Sequence, residues 1–278
     1  MKSKTLSNGI KIPVLGYGVF QIDNDSCERC VIDALDVGYR LIDTAQCYFN
    51  EEGVGLGIEN SSVSREDIFL TTKVWFGNYG YERTKQSVFE SMKKLRTDYL
   101  DLCLLHQPYA DVFGAWKALE DLHKDGYIRS IGVSNFSPGR MIDLLLHVEK
   151  RPVINQIEIH PFWKQEESLE WMHKYNITPE AWAPLGEGKN NLFNNEGLIE
   201  IGKKHGKSVA QIILRWHLQR GIIVIPKTVH TDRMKENLDV FDFMLTGTEM
   251  EQINSLDQGK TLFNDYSDPS VVEWFDSL

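Results

Sequence analysis

Tyr39-Arg40-Leu41-Ile42-Asp43-Thr44-Ala45 is a short apolar run that closes on a carboxylate, and Tyr48 follows it. Two later stretches are built the same way. Ile68-Phe69-Leu70-Thr71-Thr72-Lys73-Val74-Trp75 carries an ammonium, and Leu100-Asp101-Leu102-Cys103-Leu104-Leu105-His106 ends on an imidazole. Each run has the length of a buried strand, and each polar group sits at or just past its C-terminal end. In a barrel of parallel strands, that edge is where chemistry is built.

Working outward, strand and helix signals alternate along the whole chain. Strands are expected at 15–18, 40–43, 68–72, 100–105, 130–133, 153–157, 177–182 and 222–225. Helices are expected at 26–37, 51–59, 81–95, 112–124, 138–146, 166–175 and 209–220. Ser137-Pro138 reads as an N-cap followed by proline at the first helical position. Ser208 caps the helix that holds Ile212, Ile213 and Trp216, and Thr248 with Glu251 reads as a capping box. Asn8-Gly9 between Leu6 and Ile10 reads as a tight hairpin. Eight β-then-α units with no long linker predict an α/β fold of the (β/α)8 TIM-barrel kind, with an N-terminal β-hairpin. A doubly wound sheet fits less well. Gly53, Gly55 and Gly57 have the wrong spacing for a dinucleotide fingerprint and fall inside an expected helix.

The 278 residues suit one large barrel, and the formal net charge of -10 argues against nucleic acid or an anionic membrane as partner. A polar N-terminus without a signal-peptide core leads to the expectation of a cytoplasmic protein, and no apolar stretch is long enough for a membrane span. Four cysteines in a chain this long are no disulfide framework. Cys27 and Cys30 form a C-x-x-C that reads as two thiols on an ordinary helix, because no second pair exists to complete a metal site. Cys103 reads as inert core, and Cys47, beside Tyr48, as a reactive thiol. The histidines show no ligand spacing, so no metal is expected.

A free phenol is a poor acid at neutral pH, with a pKa near ~10. An ammonium beside Tyr48 favours the phenolate, and Lys73 can supply it; Asp43 would keep that lysine protonated and in place. Asp43, Lys73 and Tyr48 then form a proton-donating relay, with His106 free to orient a carbonyl oxygen. Such an arrangement suits carbonyl reduction, where negative charge develops on oxygen. Taken singly, each residue also has a plain structural reading, as a helix cap, a surface charge or a turn. Together, on three consecutive strand ends, coincidence is the weaker explanation.

These residues resemble the signatures of the aldo-keto reductases. The similarity covers Gly38 to Ala45 with Tyr48 and Asn50-Glu51, Thr72-Lys73-Val74-Trp75, Leu104-Leu105-His106-Gln107-Pro108 and Gly132-Val133-Ser134-Asn135-Phe136. It extends to Asn155-Gln156-Ile157-Glu158-Ile159-His160-Pro161 and Ile225-Pro226-Lys227-Thr228, in family order up to about Asp257. The chain resembles bacterial reductases of the 2,5-diketogluconate reductase type. The resemblance implies a single barrel domain over 1–278, with a tail from about 259 near the pocket mouth. It implies NADPH as cofactor, bound without a Rossmann domain, and a catalytic tetrad of Tyr48, Asp43, Lys73 and His106. Tyr48 would be the general acid in reduction of aldehydes, ketones or dicarbonyls, keto-sugar acids among them, to alcohols.

The same resemblance places Ser134, Asn135 and Gln156 at the nicotinamide carboxamide. Trp182 stands where relatives usually carry a tyrosine stacked on the nicotinamide ring; it keeps the aromatic face and loses the hydroxyl. Lys227, Thr228 and Arg233 match the 2′-phosphate site, before a helix N-terminus that adds its own attraction for a dianion. Glu236 and Asn237 match the adenine contacts. The substrate pocket would be lined by Phe20, Trp75, Gln107 and Phe76, with Trp274 and Phe275 closing it. Gln107 stands where many relatives have a tryptophan, and the segment after it is short, which predicts an open, polar mouth. The expected partners are a small-molecule carbonyl substrate and no nucleic acid or membrane, with the chain a monomer. Two other readings compete. A non-catalytic module like the potassium-channel β subunits of this fold is opposed by the intact tetrad. A glycosidase is opposed by the lack of a carboxylate pair at strand ends.

Overall fold

The computed structural model describes residues 2–277. Two short antiparallel strands come first, β1 (Ser3–Thr5) and β2 (Lys11–Pro13). Eight parallel strands follow: β3 (Tyr17–Gly18), β4 (Leu41–Asp43), β5 (Phe69–Val74), β6 (Leu102–Leu105), β7 (Ile131–Ser134), β8 (Ile154–Glu158), β9 (Thr178–Trp182) and β10 (Ile223–Val224). Each pairs with its neighbour in sequence. The ring closes where β10 returns beside the segment leading into β3. There Gly16 N–H donates to Val224 O at 2.8 Å and Val224 N–H to Val14 O at 3.1 Å. Closure removes the free sheet edges and completes the (β/α)8 barrel.

The helices are α1 (Asn24–Val37), α2 (Glu51–Glu59), α3 (Tyr81–Lys94), α4 (Val112–Lys124), α5 (Pro138–His147), α6 (Glu166–Lys174), α7 (Glu196–His205), α8 (Val209–Gln219), α9 (Thr231–Leu238), α10 (Gly247–Asn254) and α11 (Pro269–Asp276). The expected caps at Ser137 and Ser208 are present, the latter as a capping box with Gln211. The last capping box lies two residues earlier than expected, between Thr246 and Glu249. Thr-Gly-Thr-Glu-Met-Glu offers both registers, and the earlier one has Ile253 fully buried. Two helices were not expected from the sequence. α7 starts at an Asn195 cap and stops at Gly206 in the left-handed region, and α11 starts at Asp268-Pro269. Between β9 and β10 there are therefore two helices rather than one.

Period-two alternation divides the barrel into an inner and an outer face. Leu102 and Leu104 of β6 join the inner cluster with Leu41, Phe69, Ile154 and Ile223, while Cys103 and Leu105 face the helices. Leu6 and Ile12 from the hairpin belong to the same inner cluster, so the hairpin plugs one end of the barrel. Apolar residues thus fill the inner positions towards the hairpin. Asp43, Lys73, Gln156 and Trp182 come in sequence after them on the same strands, so they lie towards the opposite, C-terminal end. Gly53, Gly55 and Gly57 are packing residues on α2. A Cβ at these positions would collide with Asn24 O, Lys94 O and the Val31 side chain, so α2 could not seat against α1 and α3.

Cys27 and Cys30 are buried on one face of α1, and all four cysteines are free. Burial pushes the Cys27 thiol up to about 12, so both read as packing residues. Among the described residues, no helix is long and apolar enough to cross a membrane, and no group of three or more His, Cys, Asp and Glu could hold a metal ion.

Candidate active site

Asp43 is the last residue of β4, and β5 runs on through Val74, so Lys73 lies inside the strand rather than past it. Both side chains point into the barrel and are buried. Lys73 Nζ donates to Asp43 Oδ1 at 2.5 Å, to Thr44 O at 3.0 Å and to the Tyr48 hydroxyl at 3.2 Å. Gln156 Nε2 donates to the second Asp43 oxygen at 2.8 Å. His106 follows β6 directly, with its ring centroid 5.8 Å from that of Tyr48. The four residues singled out by the strand-end pattern thus meet at one place.

Tyr48 rides on a single helical turn, Gln46–Tyr48, that leaves β4 and ends in left-handed backbone at Phe49. Gln46, which the sequence reading passed over, fastens this turn. Its Nε2 donates to Ser87 O and Ser91 Oγ, while its Oε1 accepts from Trp75 N–H and Asn78 Nδ2, both at 2.9 Å. Asn50 holds the far side, donating to Val19 O and Ile22 O at 2.9 Å each. Nothing in the spacing of Gln46 announces this, because its partners lie 29 to 45 residues on.

The electrostatics follow from burial. Desolvation is the largest influence on Tyr48 and raises its pKa; Lys73 opposes this without cancelling it. Lys73 itself loses solvation, but Asp43 and Tyr48 outweigh that loss and hold its pKa above the ordinary lysine value. The sequence expectation that Lys73 leaves the phenol a stronger acid is therefore corrected. Its pull has the expected sign, and burial overrides it. Burial, helped by Lys73, depresses His106 far below the usual range, so its imidazole is neutral. One further carboxyl enters the group. Glu180, on the inner face of β9, is fully buried without a hydrogen-bond partner on either oxygen, and burial and Asp43 push it up to about 8.

These residues open onto a cavity of about 1520 Å³. Tyr48, His106, Gln107, Asn135, Gln156 and Trp182 line its inner part; Lys227, Thr228, Arg233, Glu236 and Asn237 line the far part, and Phe20 and Trp75 the mouth. Trp182 also has a polar handle, since its Nε1–H donates to Asn135 Oδ1 at 2.8 Å. Asn135 in turn donates to His106 O at 3.0 Å. Ser134 is not part of the cavity wall; it sits behind it and donates to Gln156 O at 2.8 Å. Phe76 is likewise behind the wall, packed on Trp75, Tyr109 and Phe275.

Lys227 and Arg233 are exposed and form no ion pair among the described residues. His230 caps α9 without a side-chain hydrogen bond, leaving first-turn N–H groups free beside these two cations and the Thr228 hydroxyl. Two unpaired cations with a bare helix N-terminus fit a phosphate dianion. Trp182 and Gln156 both line the other end, and the cavity joins the two ends, so the residues present fit an extended dinucleotide.

The mouth is less open than the short segment after His106 suggests. Glu158 anchors the tail by accepting from Thr261 Oγ1 at 2.6 Å and Leu262 N–H at 2.8 Å. Tyr109 donates to Tyr266 O at 2.6 Å, Tyr266 stacks on Phe275, and Phe275 meets Trp75 edge-on at 5.6 Å. Gln107 is buried, its backbone clamped by the Tyr79 hydroxyl, and its Oε1 has no protein partner.

A model of the aldo/keto reductase family matches residues 14–258. The chain belongs to the aldo/keto reductase family. Over 255 residues it is 46% identical to a glyoxal reductase of Bacillus subtilis (strain 168), covering 91% of this chain and 92% of that one. It is 44% identical over 260 residues to the methylglyoxal reductase DkgA of Escherichia coli (strain K12), covering 92% and 94%. Among solved structures, an aldo/keto reductase from Brucella melitensis superposes with a TM-score of 0.89 at 48% identity, covering 92% of this chain and 99% of that one. A Bombyx mori aldo-keto reductase in complex with NADP superposes with a TM-score of 0.90 at 33% identity, covering 98% and 96%.

Proposed function

We propose that this aldo/keto reductase reduces small aldehydes and α-dicarbonyls to alcohols with NADPH, and that Tyr48 is the general acid. The observation that carries this reading is the buried Lys73 ammonium, held by Asp43 and set 3.2 Å from the Tyr48 hydroxyl at the wall of the cavity. NADPH supplies the hydride that goes to the carbonyl carbon. As hydride arrives, charge grows on the carbonyl oxygen, whose basicity approaches that of an alkoxide. Water's pKa of about 15.7 is a guide to that basicity, so even a phenol raised by burial gives up its proton. Lys73 then faces the phenolate and stabilises it, while Asp43 and Gln156 fix the ammonium's position. A neutral His106 donates one hydrogen bond to the carbonyl oxygen and takes no proton itself.

Lys227, Thr228, Arg233 and the α9 N-terminus would bind the 2′-phosphate, and Trp182, Asn135 and Gln156 the nicotinamide end. Glu236 and Asn237 would border the adenine. The names of the glyoxal and methylglyoxal reductase relatives support dicarbonyl substrates. Keto-sugar acids remain within this class and rank below the smaller dicarbonyls. The test is NADPH oxidation by the purified protein with glyoxal, methylglyoxal, a keto-sugar acid and a nitrobenzaldehyde. Tight NADPH binding with no oxidation by any of them would make the protein a binding module instead.

A further inference from the structure

His106 is neutral in its buried setting, so its ring carries one proton, and the nitrogen that carries it decides what the ring can do. With the proton on Nε2, that nitrogen donates to a carbonyl oxygen. With the proton on Nδ1, Nε2 presents a lone pair and repels that oxygen. The ring has a single hydrogen-bonding neighbour among the described residues: Cys47 Sγ lies 3.5 Å from Nδ1. The other groups around it leave the nitrogens alone. Tyr48 and Trp75 meet the ring edge-on at centroid distances of 5.8 and 5.4 Å, and Asn135 bonds the backbone oxygen.

We propose that Cys47 is a positioning residue that sets the tautomer of His106: its S–H donates to Nδ1 and so keeps the ring proton on Nε2. The inference rests on the reading of His106 as the group that orients the carbonyl. An imidazole nitrogen is a good acceptor and a thiol sulfur a weak one, so of the two possible directions S–H to Nδ1 is favoured over N–H to sulfur. The thiol keeps its proton, because burial pushes it up to about 12 against an opposing pull from Lys73. The location is also fixed. Cys47 lies between Gln46, which is tied to α3 and the end of β5, and Tyr48, which is tied to Lys73. One short turn thus carries both the proton donor and the group that selects the donor face of its partner.

The experiment uses the full chain labelled with 15N-histidine in its complex with NADP+. Two-bond proton–nitrogen correlations report the tautomer, and the His106 signals are assigned by their loss in His106→Gln. The parent and Cys47→Ser, whose hydroxyl can also donate, show the proton on Nε2. Cys47→Ala shows a mixed ring or one protonated on Nδ1. In the same variant kcat falls roughly three- to tenfold, the scale of one neutral hydrogen bond, with KM for NADPH unchanged and kcat restored in Cys47→Ser. A parent protonated on Nδ1 overturns the proposal, and so does Cys47→Ala with both tautomer and kcat unchanged. A changed tautomer with unchanged kcat upholds it and removes His106 from carbonyl orientation.

Discussion

Glu180→Gln should stabilise the protein, and increasingly so as pH rises. Glu180 is fully buried beside Gln156 of β8 and Ile223 of β10, with neither oxygen hydrogen-bonded. Burial and the Asp43 carboxylate raise its pKa from 4.5 to about 8, against weaker opposition from Lys73. The folded state therefore holds a proton that the unfolded chain releases, and stability must fall as pH rises between these two values. The slope is about 1.4 kcal/mol for each pH unit, so by pH 7 the native state has lost about 3 kcal/mol on this account. A carboxamide cannot ionise, keeps the size and leaves a comparably polar group buried, so Glu180→Gln removes the slope. Parent and variant should unfold together near about pH 5. Near pH 7 the variant should melt roughly 6–12 °C higher, at about 2–4 °C per kcal/mol for a chain of this size. The assay is thermal unfolding of both proteins from about pH 5 to pH 9. Parallel curves with the same pH slope would refute the reasoning and mean that water or a local rearrangement satisfies the carboxylate.

Arg233→Ala should weaken NADPH roughly ten- to a hundredfold and NADH little, because a charge-assisted phosphate contact is worth about 1.5–3 kcal/mol; titration with both cofactors decides. Gln107→Trp should fill the space beside Gln107 Oε1 and raise the specificity constant for a nitrobenzaldehyde relative to methylglyoxal, by about 25 cal/mol for each Å² of ring buried. An unchanged ratio would take Gln107 out of substrate selection. The depressed His106 titrates well below its usual range, so kcat should show no inflection near pH 6.5, and the native state gains nothing from His106 protonation there. A clear inflection that vanishes in His106→Gln would contradict the neutral imidazole.

Much of the barrel could be read from short apolar runs ending in polar residues, because period-two alternation turns that pattern into an apolar inner layer followed by a polar one. The tetrad was legible for the same reason: Asp43, Lys73 and His106 lie at or just past the C-terminal ends of adjacent strands, each two residues further along in register than the one before. What stayed hidden depends on contacts far apart in sequence. Gln46 reaches α3, Glu158 reaches Thr261 and Leu262, and Cys47 reaches His106, and no local spacing foretells them. Ser134 is expected at the nicotinamide carboxamide from the resemblance, but its hydroxyl donates to the neighbouring strand at Gln156 O. The phenol's electrostatics were misjudged because a sequence shows charges and not the depth at which they are buried. α7 and α11 were missed although each carries a cap, since their apolar faces are short.

The most direct test of the account is Tyr48→Phe, measured for NADPH affinity by fluorescence titration and for turnover with a dicarbonyl. The hydroxyl bonded to Lys73 is the only group removed. Cofactor affinity should stay within about twofold and kcat should fall by roughly 10²–10⁴, the share a general acid contributes. Turnover within about tenfold of the parent would show that the proton comes from elsewhere and would contradict the central claim.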